Sequence, residues 1–209
     1  MADMKAVCEA VRNGNRTLVL KLVDEALKQG VSAKDILNDG LIAGIRLVGE
    51  LFSKNEIFVP EMLIAARAMN AALEKLQPLL VAAGVKPKGI VVAGTVKGDL
   101  HDIGKNLVCI MVRGAGYKVV DCGVDCSAEK FIEEAKKNDA RAVLCSALLT
   151  TTMPYMQTVV QEVKKSGLPL KVIIGGAPVT QAYADKIGAS GYGADANEAV
   201  LVTEKLLAS

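Results

Sequence analysis

The chain has no tryptophan, and only 3% of its 209 residues are aromatic. Single-stranded nucleic acid is bound on aromatic platforms, and nucleic acids in general need a clustered basic face. Here the 25 Lys and Arg residues are scattered and the net charge is +2, so no nucleic-acid partner is expected. Long apolar runs are also missing. None approaches the ~18 residues that span a bilayer, so no membrane partner is expected either. Met1 to Arg16 lack the apolar stretch of a secretion signal, which points to the cytoplasm. The five cysteines, Cys8, Cys109, Cys122, Cys126 and Cys145, form no Cys-x-x-Cys pair, and their odd number argues against a disulfide framework. Cys122 and Cys126 stand four apart, but no second pair completes a tetrahedral zinc set. Cys109 and Cys145 lie in apolar segments and read as small buried hydrophobes. Histidine is scarcest among the chemically versatile residues: His101 is the only one.

What is present is a core-forming composition, 51% hydrophobic, arranged in two halves with different periods. Residues 1–84 read as helical. Val7, Val11, Leu18, Leu22, Leu27, then Ile36, Leu41, Ile45 and Val48 recur at helical spacing. Gly14 and Gly30 punctuate the pattern, and Ser32 or Asp35 suits a helix cap. Pro60 opens a helix to about Leu76, and a short fourth helix is expected from Pro78, completing a bundle. Residues 84–89 read as a linker.

Residues 89–209 alternate short strand-like runs with helical patterns. The strands are 90–93, 118–121, 142–145, 171–174 and 190–192, and the expectation is a doubly wound five-stranded parallel sheet flanked by helices. With strand order 2-1-3-4-5, ligands bind outside the carboxyl ends of the strands where the order reverses. Three signals converge there: Asp99-Leu100-His101-Asp102-Ile103-Gly104 after strand one, Ser146-Ala147-Leu148 after strand three, and Gly175-Gly176 at the end of strand four.

Phosphate chemistry fits this loop poorly. The spacing from Gly98 to Gly104 is one residue too long for a P-loop, and Lys105 is followed by Asn106 instead of Ser or Thr. A dinucleotide fingerprint and a nucleophile elbow are absent as well. Metal ligation fits better. A ligating imidazole donates its other ring N–H to an acceptor. Asp99 stands two residues before His101, and Ser146 is in place to hydrogen-bond Asp99 in turn. One protein ligand cannot cage a metal, but it suffices when the metal arrives in a macrocycle that fills four positions.

On these residues the sequence resembles the corrinoid (vitamin B12-type) proteins of anaerobic methyltransferase systems, especially the methylamine and methoxyl types. It is more distantly similar to the cobalamin-binding region of methionine synthase. The family pattern, Asp-x-His-x-x-Gly, Ser-x-Leu and Gly-Gly, is filled at every position by Asp99–Gly104, Ser146–Leu148 and Gly175-Gly176. The helical half matches through Gly49-Glu50-Leu51-Phe52 and Pro60-Glu61-Met62.

The resemblance implies a Rossmann-like, flavodoxin-type B12-binding fold and a corrinoid (cobalamin) cofactor. It makes His101 the lower axial ligand to cobalt, with Asp99 and Ser146 as a relay behind it. Further cofactor contacts fall to Gly98, Asp102, Ile103, Gly104, Leu148, Thr150, Gly175, Gly176, Ala177, Tyr192 and Ala194. The same resemblance makes Phe58 and Met62 of the helical half the lining of a cap over the corrin. Pro154 would start the next helix, with Thr152 or Met153 as its cap. The implied function is a methyl carrier, not catalytic alone. A substrate-specific methyltransferase loads cobalt(I), and a second methyltransferase takes the methyl from methyl-cobalt(III) to a thiol or folate-type acceptor. A reductive activating protein is a further implied partner. Two alternatives remain open at this point: a B12-dependent regulatory sensor, and the B12-binding subunit of a radical mutase.

Overall fold

The computed structural model describes residues 3–208. The chain falls into two compact units. One is Met1–Pro87 together with Gly114–Gly116, and the other is Lys88–Arg113 together with Tyr117–Ser209.

The first unit is helical. Short polar side chains start its helices by accepting otherwise unpaired amides. Asp3 caps α1 (Met4–Arg12), Asn15 caps α2 (Arg16–Lys28) and Ser32 caps α3 (Ala33–Asp35). From α3 the backbone continues through a π-helical stretch, Ile36–Ile42, directly into α4 (Ala43–Ser53). Two glycines let this segment lie against α1. A Cβ on Gly40 would stand 2.8 Å from Val7 Cγ1, and one on Gly44 would stand 2.7 Å from Val11 Cβ and 2.8 Å from the Cys8 carbonyl oxygen. The last helix, α5 (Val59–Ala82), corrects the expectation of a separate helix from Pro78, because it passes through that proline unbroken. Proline removes one amide bond to the preceding turn. Pro78 is exposed, so water can satisfy the freed carbonyl, while Leu76 and Leu80 keep the buried stripe continuous on either side.

The second unit is a parallel sheet of five strands in the order β2-β1-β3-β4-β5. They are β1 (Ile90–Thr95), β2 (Lys118–Asp121), β3 (Ala142–Ser146), β4 (Lys171–Gly175) and β5 (Gly191–Gly193). The connecting helices are α6 (Ile103–Gly114), α7 (Ala128–Asn138), α8 (Tyr155–Lys165) and α9 (Gln181–Ile187), followed by α10 (Ala196–Leu207). Parallel strands covered on both faces read as continuous apolar runs, as in Val91, Val92 and Ala93 or Ala142 to Cys145, all buried. The strand order reverses between β1 and β3, which places a crevice at their carboxyl ends.

Register sorts the strand ends into two rows. Thr95, Ser146, Gly175 and Gly193 align across β1, β3, β4 and β5. The row before it, Gly94, Cys145, Ile174 and Tyr192, points to the opposite face, since side chains alternate along a strand. On that opposite face Cys145, Ile174 and Tyr192 pack with Phe131 and Met156 in one apolar cluster. Gly94 is required there, because a Cβ would come within 2.7 Å of the Phe131 ring.

All five cysteines are buried free thiols. Burial pushes Cys109 up to about 11 and Cys122 up to about 12. The same cause raises Cys8, Cys126 and Cys145. Among the described residues no helix is long and apolar enough to cross a membrane.

Candidate functional site

At the end of β1 the chain turns sharply. The Asp99 amide donates to the Val96 carbonyl (3.1 Å), and Gly98 has a φ of +83°, as the third residue of a type II turn requires. The turn is fixed from both sides. The Val96 amide donates to the Ser146 carbonyl (3.0 Å), and Val96 bridges to Cys126. Its product is a fully buried carboxylate, Asp99, 0% exposed.

Five donors converge on Asp99. Oδ1 accepts from the His101 amide (3.0 Å) and lies 2.7 Å from His101 Nδ1. Oδ2 accepts from the Leu148 amide (2.8 Å), the Leu149 amide (3.3 Å) and the Thr152 hydroxyl (2.6 Å). Burial alone would raise the Asp99 carboxyl. The Thr152 hydroxyl, the Leu148 and His101 amides and the His101 ring outweigh it and hold the group well below the usual carboxylate range. An ionised Asp99 can only accept, so Nδ1 of His101 carries a proton, and in the neutral imidazole Nε2 is the nitrogen with the lone pair. The Thr95 hydroxyl donates to the His101 carbonyl (2.8 Å) and ties the loop back to the sheet. The His101 side chain itself is 50% exposed. Among the described residues no three His, Cys, Asp or Glu side chains stand together as a metal cage, so His101 can act only as a single ligand.

Apolar residues surround it. Leu100 and Ile103 are 71% and 77% exposed, and Leu148 and Leu149 are exposed beside them, their amides on Asp99. Exposed aliphatic side chains concentrated in two adjoining loops mark a ligand or partner surface. The loop pattern itself carries this signal: Leu100 and Leu149 are apolar residues in segments too short to build core, and the sequence reading passed over both.

The relay differs from the expected one. The Ser146 hydroxyl makes no hydrogen bond to Asp99; Thr152 does. Ser146 ends β3 half-buried in the row with Thr95 and Gly175, whereas the 148–152 turn folds back over Asp99. For the same reason Thr152 does not cap α8, whose start at Pro154 has no side-chain cap. Substituting Thr152 with valine removes a hydrogen bond to a charged group, worth about 1.5–3 kcal/mol. Ser146→Ala leaves the Asp99 network whole. Chemical denaturation of the two variants should therefore separate them by more than 1 kcal/mol; equal losses would contradict the Thr152 assignment.

Two other expected contact residues stand apart from this set. Tyr192 packs into the Phe131 cluster, on the sheet face away from the Ser146–Gly175 row. Met62 is fully buried in the stripe of α5 that includes Ala65, Met69 and Ala72, so it offers no surface to a ligand, whereas Phe58 stands exposed at the head of that helix. The remaining positions keep to the carboxyl edge of the sheet. Asp102 accepts from Asn106 in the first turn of α6. Thr150, Ala177 and Ala194 are exposed in the loops after β3, β4 and β5. A Cβ on Gly176 would overlap the Ala147 carbonyl oxygen, and its φ is +130°. Gly104 is different: a Cβ there meets nothing within 4 Å, and its φ is not positive. Neither packing nor backbone conformation demands glycine at 104, which suits the close approach of a bound group.

A macrocycle with a metal at its centre fits this set. The free Nε2 rises from an apolar collar, and bare backbone lies beside it. Comparison with known proteins agrees. Two models, each described as a B12 binding domain, match residues 89–201 and 4–77. Dimethylamine corrinoid protein 3 of Methanosarcina acetivorans is 42% identical over 213 residues, covering 99% of this chain and 100% of that one. The structure of the methanol:cobalamin methyltransferase complex MtaBC from Methanosarcina barkeri superposes with a TM-score of 0.86 at 30% identity, covering 99% of this chain and 80% of that one. A cobalamin-binding protein from Desulfitobacterium hafniense DCB-2 gives 0.85 at 28% identity, with 99% of each chain covered.

Proposed function

Since the chain belongs to the corrinoid proteins of methylamine-type methyltransferase systems, we propose that it carries methyl groups on a bound corrinoid, with His101 as the cobalt's lower ligand. The observation that carries this reading is the half-exposed His101 ring, its Nδ1 held by a buried carboxylate, in a loop that shares exposed aliphatic side chains with the adjoining 148–149 segment. The corrinoid, when bound, supplies a cobalt centre that takes a methyl group from one partner and yields it to another.

The chain's own residues hold and tune. Leu100, Ile103, Leu148 and Leu149 would bury the apolar underside of the ring and exclude water from it. Asp99 orients the imidazole and strengthens its donor nitrogen by accepting at Nδ1. Thr152 and the two amides keep that carboxylate in place and charged. The row of Ser146, Gly175 and Gly193 lies beside these loops at the strand ends, and we assign the cofactor's tail to it. A substrate-specific methyltransferase is the first partner. A second methyltransferase, acting on a thiol or folate-type acceptor, and a reductive activating protein complete the cycle. Whole-length similarity to methyltransferase-system proteins does not favour the sensor or radical-mutase readings.

The test is direct. The purified chain is loaded with hydroxocobalamin, reduced chemically and treated with methyl iodide. One corrinoid per chain, methylated while still bound, is the expected outcome. A chain that binds hydroxocobalamin but, once reduced, resists methylation would overturn the carrier reading.

A further inference from the structure

The loop that follows β2 contains a residue in an unusual conformation. Asp125 has a φ of +51°, a left-handed geometry uncommon for a non-glycine residue. Aspartate tolerates it better than most, through local side-chain hydrogen bonding. What holds it there is a two-way clip on the turn that delivers Asp99. Its carboxylate Oδ1 accepts from the Gly98 amide at 2.7 Å. Its own amide donates to the Asp99 carbonyl at 3.0 Å. The two bonds grip residues 98 and 99 at the turn. Neighbouring bonds brace the clip: the Thr95 amide donates to the Gly123 carbonyl (3.0 Å) and the Cys126 amide to the Thr95 carbonyl (2.9 Å).

No packing role accounts for Asp125. Its side chain is exposed, and the left-handed backbone would be served as well by glycine. What glycine lacks is the carboxylate on Gly98. We propose that Asp125 is a positioning residue for the axial ligand. By holding the peptides that flank Gly98-Asp99, at the Gly98 amide and the Asp99 carbonyl, it sets where the Asp99 carboxylate lies, and therefore how firmly His101 is held towards the metal. This inference rests on His101 as the cobalt ligand. The carboxylate acts through backbone, two steps from the metal, so its loss should weaken ligation less than the roughly 10–100-fold that follows loss of a direct hydrogen-bond partner of a metal ligand.

Three variants separate the anchor from the backbone conformation: Asp125→Asn, Asp125→Gly and Asp125→Ala. Each is loaded with cobalamin and reduced to cobalt(II), whose unpaired electron couples to an axial nitrogen in the electron paramagnetic resonance spectrum. Asn keeps an acceptor oxygen and tolerates the left-handed region, so its nitrogen-coupled fraction should match the parent chain. Gly relieves the backbone but loses the acceptor. Its ratio of histidine-ligated to unligated cobalt should fall about threefold, a little over half a kcal/mol, with no loss of melting temperature. Ala should lose the same ratio and melt lower. If Gly keeps the parent ratio, the carboxylate positions nothing and the inference fails, whatever Ala does. If Asn falls with Gly, an acceptor oxygen is not the operative feature and the inference fails equally. His101→Ala is the control. Should it retain the nitrogen-coupled signal, the axial-ligand reading itself is wrong and this inference goes with it; should it lose the signal while Gly does not, only the role of Asp125 is refuted.

Discussion

Replacing His101 with alanine is expected to leave a folded chain that binds corrinoid at least 10–100-fold more weakly, with no nitrogen ligand on its cobalt. The magnitude is bounded from below. Losing even the hydrogen-bond partner of a metal ligand costs about that much, and here the proposed ligand itself goes. Folding should survive for a local reason. The His101 side chain is half exposed and makes one hydrogen bond, to Asp99. The buried Asp99 carboxylate keeps the His101, Leu148 and Leu149 amides and the Thr152 hydroxyl. It therefore does not become an unpaired buried charge, the circumstance that makes such deletions severe. The measurement is a corrinoid titration of the variant beside its cobalt(II) spectrum. Full affinity with an unchanged spectrum would remove His101 from the cobalt.

Replacing Gly176 with alanine should be the most damaging single methyl addition in the sheet unit, lowering its stability by about 3 kcal/mol or more. Two costs combine. A backbone at φ +130° disfavours any L side chain, a strain of about 1–3 kcal/mol. The added Cβ would also overlap the Ala147 carbonyl oxygen, and overpacking against backbone costs about 1–3 kcal/mol more. Relief requires Ala147 to move, and the next two residues are those whose amides hold Asp99. The damage should thus reach the site: the histidine-ligated cobalt fraction falls together with the unfolding midpoint. A variant within ~1 kcal/mol of the parent chain, with ligation intact, would show that the loop accommodates the methyl group.

Much of this organisation was legible in the chain. The three inner strands, β1, β3 and β4, are buried along most of their length and announce themselves as short apolar runs, whereas the edge strand β5, Gly191–Gly193, has no such run. The carboxyl-edge convergence of His101, Ser146 and Gly175 follows from strand order alone. What the sequence does not carry is direction in space. Ser146 and Thr152 both have hydroxyls near the end of β3, and only the fold of the intervening turn decides which one reaches Asp99. Tyr192 stood at the right edge, but alternation along β5 turns it towards Phe131. Met62 sits near the Pro60 turn, yet helical phase puts it in the buried stripe. Pro78 looked like a boundary because local preference was weighed without the packing of Leu76 and Leu80 on either side. Asp125 had no signal at all: its role is set by a residue 27 positions away.

The five buried cysteines bear on the fate of the cargo. A methyl group activated for transfer is a hazard to any thiolate within reach, the carrier's own included. Sulfur attacks as thiolate. With Cys109 raised to about 11, roughly one molecule in ten thousand is deprotonated there at neutral pH, and the other four are raised as well. Enclosed and protonated, these side chains are poor competitors for the alkyl group. The chain can keep its sulfur for packing without becoming the acceptor of what it carries.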